Sequence, residues 1–81
     1  MKITVFFYSY FKEITGCAKT NEELPEGGTV GDLFRKLTVR FPKLAPLGKS
    51  ILMAVGVDYQ KTSYVLKEGD EVSLFPPVQG G

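Results

Sequence analysis

One segment of the sequence has the apolar spacing of an amphipathic helix, and the segments on either side of it have the patterns of strands. The apolar residues of the helical segment recur three or four positions apart and form one stripe, at Val30, Leu33, Phe34, Leu37 and Phe41. Thr29 is a favourable N-cap, and Asp32 follows three residues later, near the positive end of the helix. Pro42 ends the segment, because the residue before a proline disfavours helical angles. A chain with one such helix has to bury its stripe against a sheet built from the flanking strands.

Two strands are predicted before the helix and two or three after it. Residues 2–8 alternate between two partly apolar sets, the periodicity of a strand that is covered on both faces. The other predicted strands are 18–24, 51–57, 58–62 and 71–75, with a loop over 44–50. One amphipathic helix can cover one face of such a small sheet, which predicts an α+β fold. If the first and last strands pair in parallel, the arrangement is the β-grasp, or ubiquitin-like, fold.

The composition excludes several classes of protein. With 81 residues there is room for one domain, and a net charge of +1 from scattered Lys and Arg residues does not indicate a nucleic-acid binder. The chain has one cysteine, Cys17, and no histidine, so we expect no metal site, and a β-grasp ferredoxin with four cluster thiolates is excluded. No stretch approaches the roughly 20 apolar residues of a membrane span. These features predict a cytoplasmic protein, and the missing histidine argues against catalysis by this chain alone.

The last six residues are predicted to leave the domain, residues 1–75, as an extended tail, residues 76–81. Pro76 and Pro77 lack a backbone N–H and fix φ, so the sheet cannot easily continue through them. Val78 and Gln79 then lead to Gly80 and Gly81, which have no side chains. Six residues at about 3.3 Å each reach up to roughly 20 Å. Such a thin tail suits the insertion of a terminal carboxylate into a narrow active site on another protein.

The carboxylate of Gly81 is the candidate reactive group. It is ionised at neutral pH and can attack the α-phosphate of ATP, which turns it into an electrophile. Sulfur could then replace AMP and leave a terminal thiocarboxylate. This chemistry needs no catalytic side chain in the carrier. The alternative is a plain interaction domain with an inert, frayed end, whose function would survive the deletion of Gly81.

Three aromatic residues are candidates for a partner surface. Phe6, Tyr8 and Phe75 are predicted to share the sheet face opposite the helix, where together they would form an apolar patch. The alternative is that loop 44–50 covers them or that they are scattered singly.

The C-terminal run GDEVSLFPPVQGG, residues 69–81, resembles the end of MoaD proteins, the small subunit of molybdopterin synthase, where a GDEVAFFPPVTGG-like stretch is typical. Shorter similarities to the same family are Phe6-Phe7, Lys12-Glu13 with Gly16, Thr29-Val30 with Asp32-Leu33, and Met53-Ala54-Val55. One departure is Gly56, where the family often has asparagine, which indicates a different turn or a more distant member.

The resemblance implies a role in sulfur transfer. A MoeB-like, E1-like adenylating enzyme would use ATP to activate Gly81, where sulfur would be installed. The tail would then enter a MoaE-like large subunit, which would transfer the sulfur to cyclic pyranopterin monophosphate. That partner would supply the catalytic side chains, and we expect this chain to bind no cofactor of its own. Two alternatives keep the same terminal chemistry: a ThiS-like carrier for thiazole synthesis, and a ubiquitin-like modifier joined through Gly81 to lysines.

Overall fold

The computed structural model describes residues 1–77, in which a helix packs on one face of a five-stranded sheet. In chain order the elements are β1 (Lys2–Phe7), α1 (Phe11–Thr15), β2 (Lys19–Glu23), α2 (Val30–Arg40), a 3₁₀ segment (Pro42–Ser50), β3 (Leu52–Val55), β4 (Asp58–Tyr59) and β5 (Glu71–Phe75). None of the helices in this part of the chain has the length and apolar character needed to cross a membrane.

The first and last strands lie side by side at the centre of the sheet and run parallel. The strand order is β2-β1-β5-β3-β4, and every neighbouring pair other than β1–β5 is antiparallel. In the parallel pair Val5 lies beside Val72, and Phe7 lies beside Leu74. This pairing confirms the predicted β-grasp fold. The predicted boundary between domain and tail falls at the end of β5, and residues 78–81 lie outside the described residues.

The core lies between α2 and the two central strands. Alternate residues of β1 and β5 point toward α2, and its apolar stripe packs on them. The side chains that are almost completely buried include Ile3, Val5, Phe7, Val30, Leu33, Leu37, Val72 and Leu74. Burial of such side chains is the main favourable contribution to the stability of a domain of this size.

The start of α2 is fixed by two reciprocal hydrogen bonds. The backbone N–H of Asp32 donates to the Thr29 hydroxyl at 3.1 Å, and the Thr29 N–H donates to the Asp32 carboxylate at 2.9 Å. These bonds form a capping box, which satisfies two backbone donors and places a negative charge at the helix N-terminus. The predicted N-cap is therefore confirmed.

Two segments differ from the sequence-based expectation. The loop predicted over 44–50 forms 3₁₀ turns, beginning with a 2.9 Å bond from the Leu44 N–H to the Phe41 carbonyl, and Leu44 is buried in the core. Short 3₁₀ turns lack the extended 3.6-residue period that identifies an α-helix in a sequence. The return strand predicted over 58–62 is limited to Asp58–Tyr59. Gly56 has a φ of +62° in the preceding turn, a conformation that asparagine also tolerates, so the departure at this position does not require a different turn.

Candidate functional site

The sheet face opposite α2, called here the outer face, carries the three aromatic residues predicted as a partner surface. Phe6 pairs with Ser73, whose side chain is on the outer face because its neighbours in β5 point into the core. Tyr8 follows the last residue of β1, two positions after Phe6, and Phe75 lies two positions after Ser73. The parallel register therefore brings Tyr8 level with Phe75 at the end of the sheet where β5 terminates.

Tyr8 and Phe75 form a parallel ring stack on this face. Their ring centroids are 4.8 Å apart and their planes differ by 7°. Tyr59 of β4 approaches the other side of Phe75 edge-on, with the centroids 6.2 Å apart. Tyr8 is 43% exposed and Tyr59 is 62% exposed, so the cluster presents aromatic surface to solvent. The 3₁₀ segment packs against α1 and α2, and Tyr8 and Tyr59 remain exposed.

Sequence reasoning missed the contribution of Tyr59 and of Leu52. Leu52 pairs with Phe75 and Tyr59 pairs with Ala54, so both side chains belong to the outer face. Residues 51–55 are all apolar, so residue type does not indicate which of them lie on the outer face. The register across β3, β4 and β5 could not be predicted either, because it is set by long-range pairing.

Phe6 has a different environment from the stacked rings. It is half-buried, and the ammonium of Lys19 in β2 lies 5.9 Å from its ring centroid. This is the range of a weak cation–π contact. The apolar end of the outer face is therefore bordered by a positive charge on the β2 side.

The opposite end of the outer face is polar. Lys2 and Glu71 are exposed there, and the hydroxyl of Thr4 donates to the side-chain carbonyl of Asn21 at 3.2 Å. Apolar surface on this face is therefore concentrated at the end where the chain leaves β5.

Ser9 has a left-handed backbone conformation at the point where the chain leaves the sheet after Tyr8. The Tyr8 N–H donates to the Leu74 carbonyl at 3.4 Å, which extends the contact with β5 by one residue. Ser9 then has a φ of +57°, an unfavourable value for a residue other than glycine. The chain enters α1 two residues later.

The tail begins beside this aromatic cluster. Pro76 and Pro77 follow Phe75 without regular secondary structure, and both are half-buried. Val78, Gln79, Gly80 and Gly81 lie outside the described residues, and their assignment to the functional tail stays a prediction. Within residues 1–77 there is no group of three or more His, Cys, Asp or Glu side chains placed to hold a metal ion.

Comparison with known proteins assigns the family. The model of the ThiS family matches residues 5–81. The molybdopterin synthase sulfur carrier subunit of Mycobacterium tuberculosis is 33% identical over 84 residues, covering 100% of this chain and 99% of that protein. The small archaeal modifier protein 3 of Haloferax volcanii is 30% identical and covers 100% of both chains.

A solved structure agrees with the sequence comparison. A Pyrococcus furiosus protein described as subunit 1 of a molybdopterin converting factor superposes with a TM-score of 0.89 at 30% identity. The match covers 96% of this chain and 99% of that one. The family model, the relatives and the solved structure all match nearly the full sequence. The predicted resemblance to MoaD proteins is thereby confirmed, and this chain belongs to the ThiS family.

Proposed function

We propose that this protein is a sulfur carrier and the small subunit of a molybdopterin synthase, with Gly81 as the residue that carries the sulfur. The observation that carries the proposal is the position of the Tyr8–Phe75 stack, in which Tyr8 is exposed and Phe75 half-buried, directly at the start of a tail with the sequence PPVQGG. A partner that binds this stack positions the body of the carrier so that the tail can enter an active site. The names of the relatives from M. tuberculosis and P. furiosus support the same assignment.

The proposed chemistry takes place on the carboxylate of Gly81. One carboxylate oxygen attacks the α-phosphate of ATP in an E1-like activating enzyme, and pyrophosphate leaves. A sulfur nucleophile then attacks the acyl carbon and displaces AMP, which leaves a thiocarboxylate. In the large subunit this sulfur passes to cyclic pyranopterin monophosphate. ATP and the catalytic side chains belong to the partner enzymes, and the carrier itself binds no cofactor.

The two partners are proposed to use overlapping surfaces. Each has to accept the narrow tail in its active site, and each therefore meets the body of the carrier at the end of β5. Exposed aromatic side chains at that end are typical of residues that dominate binding energy at interfaces. The activating enzyme and the large subunit consequently compete for the carrier, and both are expected in the cytoplasm with it.

A ubiquitin-like modifier is the second candidate function, favoured by the 30% identity to the H. volcanii modifier protein. Modification of other proteins would join Gly81 to lysine side chains in amide bonds. Isolation of such covalent conjugates favours the modifier, whereas sulfur transfer to a pterin favours the carrier. A ThiS-like role in thiazole synthesis would give the same thiocarboxylate but no transfer to the pterin.

A reconstituted synthase tests the proposal. The carrier, loaded with sulfur by an activating enzyme, is mixed with the large subunit and cyclic pyranopterin monophosphate, and molybdopterin is quantified. A matched carrier has one alanine appended after Gly81. We expect product from the first protein and none from the second, with unchanged thermal unfolding of the body. Equal product from an extended carrier that remains untrimmed would contradict the assignment of Gly81.

A further inference from the structure

The β2 strand forms one free edge of the sheet. It is the outermost strand on the β1 side, at the opposite edge from β4. An edge strand of five residues presents unpaired backbone donors and acceptors, on which a strand from another molecule can add. Whether this edge is open depends on what lies against those groups.

The hydrogen bonds at both ends of the β1–β2 ladder identify the free groups. The Phe7 N–H donates to the Ala18 carbonyl and the Leu24 N–H donates to the Met1 carbonyl, both at 2.9 Å. In an antiparallel ladder the residues that exchange hydrogen bonds alternate with residues that do not. The backbone groups that point away from β1 are therefore those of Lys19, Asn21 and Glu23.

Basic side chains from α2 cover two of these three outward carbonyls. Nη1 of Arg40 lies 3.3 Å from the Asn21 carbonyl oxygen, and Nζ of Lys36 donates to the Glu23 carbonyl oxygen. Lys36 and Arg40 are four residues apart, so they project from the same side of the helix. Two cations of one helix thus lie along the edge of β2.

The Arg40 side chain is held at this edge by several contacts. It donates to the hydroxyl of Thr20 at 2.9 Å and to the carboxylate of Glu22, which is only 6% exposed. Its guanidinium also lies over the ring of Phe41, with Cζ 5.1 Å from the ring centroid. Hydrogen bonds from a guanidinium to a carboxylate are among the stronger ones in proteins, so the contact with Glu22 favours this position of the Arg40 side chain along the edge.

We infer that α2 closes the β2 edge to strand addition and so keeps a second copy of this chain from pairing β2 against β2. An incoming strand needs the carbonyls of Asn21 and Glu23 as acceptors, and the side chains of Arg40 and Lys36 that contact these oxygens have to move aside first. Pairing of two copies would also bring the two sets of Lys36 and Arg40 ammonium and guanidinium groups together, which is unfavourable.

A charge-matched pair of variants tests this inference. The first carries Lys36→Gln, Arg40→Gln and Glu22→Gln, which uncovers the edge and leaves no unpaired buried carboxylate. The second carries Arg35→Gln, on the same helix, where Arg35 is 74% exposed and contacts Asp32 instead of β2. Both variants have a formal net charge of zero. The first loses two positive charges and one negative charge, the second loses one positive charge, and the native protein has a net charge of +1.

Sedimentation at millimolar protein concentration gives the first readout. We expect the molar mass of the first variant to rise toward twice that of the monomer, while the Arg35→Gln protein stays monomeric. Hydrogen exchange gives the second readout, since the outward amides of Asn21 and Glu23 become protected only in the edge-paired dimer. Adding Asn21→Pro to the first variant removes an outward backbone donor and restores the monomer. It leaves the backbone hydrogen bonds between β1 and β2 intact and removes only the side-chain bond from Thr4 to Asn21.

Three results would overturn the inference. They are a monomeric first variant, equal association of both variants, and association that persists with Asn21→Pro. If the triple variant does not fold, the single variant Lys36→Gln is used to test the inference, because it leaves the Glu22–Arg40 contact intact. Exchange protection of the Glu23 amide that rises with protein concentration in that protein supports the inference, and concentration-independent exchange contradicts it.

Discussion

Phe75 joins two features of the protein that are separate in the sequence. It is the last residue of β5, so it contributes to the sheet, and its ring contacts Tyr8 and Tyr59 on the outer face. The next residues are the two prolines of the tail. A partner that contacts the Phe75 ring is therefore positioned at the start of the tail.

Replacing Phe75 with aspartate is expected to weaken binding to the large subunit by about 2 kcal/mol or more, the cost typical of a central aromatic residue at an interface. The reason is that a carboxylate in the middle of the Tyr8–Tyr59 cluster opposes desolvation. Isothermal titration calorimetry of the variant and the native carrier with the large subunit measures the change.

Val39→Asp is the matched control for this variant. Val39 is 80% exposed on α2, away from the outer face, so the same charge is introduced outside the proposed interface. We expect native affinity from the control and native circular dichroism from both variants. Equal affinities for the Phe75→Asp and native carriers, with an intact fold, would end the interface assignment.

The Glu22–Arg40 contact is expected to contribute to folding stability because Glu22 is buried. Arg40→Ala leaves that carboxylate without its partner, and we expect a loss of about 1–3 kcal/mol in the free energy of unfolding. Arg35→Ala removes an exposed pair with Asp32 and should cost less than about 1 kcal/mol. Urea denaturation of the two variants measures the change in the free energy of unfolding. Equal decreases would show that the buried Glu22–Arg40 pair contributes no more to stability than the exposed Arg35–Asp32 pair.

Helix α2 and strand β5 could be predicted from the sequence with nearly the bounds that the structure has. Both have local signals: a Thr29–Asp32 cap and one apolar stripe for the helix, and apolar residues at alternate positions, Val72 and Leu74, before Pro76 for the strand. The 3₁₀ segment and the short β4 could not be predicted in this way. Leu44 is buried through contacts that are distant in sequence, and β4 ends after Tyr59 because of its pairing with β3.

The capping box of α2 gives a prediction for this element. Thr29→Ala removes the side-chain acceptor of the Asp32 N–H and is expected to lower the free energy of unfolding by about 1 kcal/mol. Thr38→Ala changes the same residue type inside the helix, where its hydroxyl bonds only to the Arg35 carbonyl, and should change stability by less than about 0.5 kcal/mol. Thermal and urea unfolding measure the free energy of unfolding of both variants. If Thr38→Ala lowers this free energy more than Thr29→Ala does, the cap does not stabilise the helix.

The complete fold explains why the candidate site forms at one end of the outer face. The parallel pairing of β1 and β5 brings Tyr8, from the start of the chain, beside Phe75, near its end. Alternation in the sequence was enough to predict that Phe6, Tyr8 and Phe75 share a face. The stack itself depends on the register between β1 and β5, which is set by long-range pairing and has no signature in the residue types.

At the scale of the whole molecule, the proposed contact surface on the outer face and the covered β2 edge lie on different parts of the sheet. The outer face ends in exposed rings at the root of the tail, while the β2 edge is covered by Lys36 and Arg40. This arrangement suits the proposed function, in which the carrier associates with two enzymes in turn and not with itself.

The intact mass of the protein tests the central claim most directly. The chain is incubated with ATP, an E1-like activating enzyme and a sulfur donor, and is then measured by mass spectrometry with fragmentation of the C-terminal peptide. We predict the mass gain of one sulfur replacing one oxygen, located on Gly81, and no gain when ATP is omitted. An unchanged mass under conditions that load a known carrier, or sulfur located on Cys17 instead of Gly81, would contradict the account.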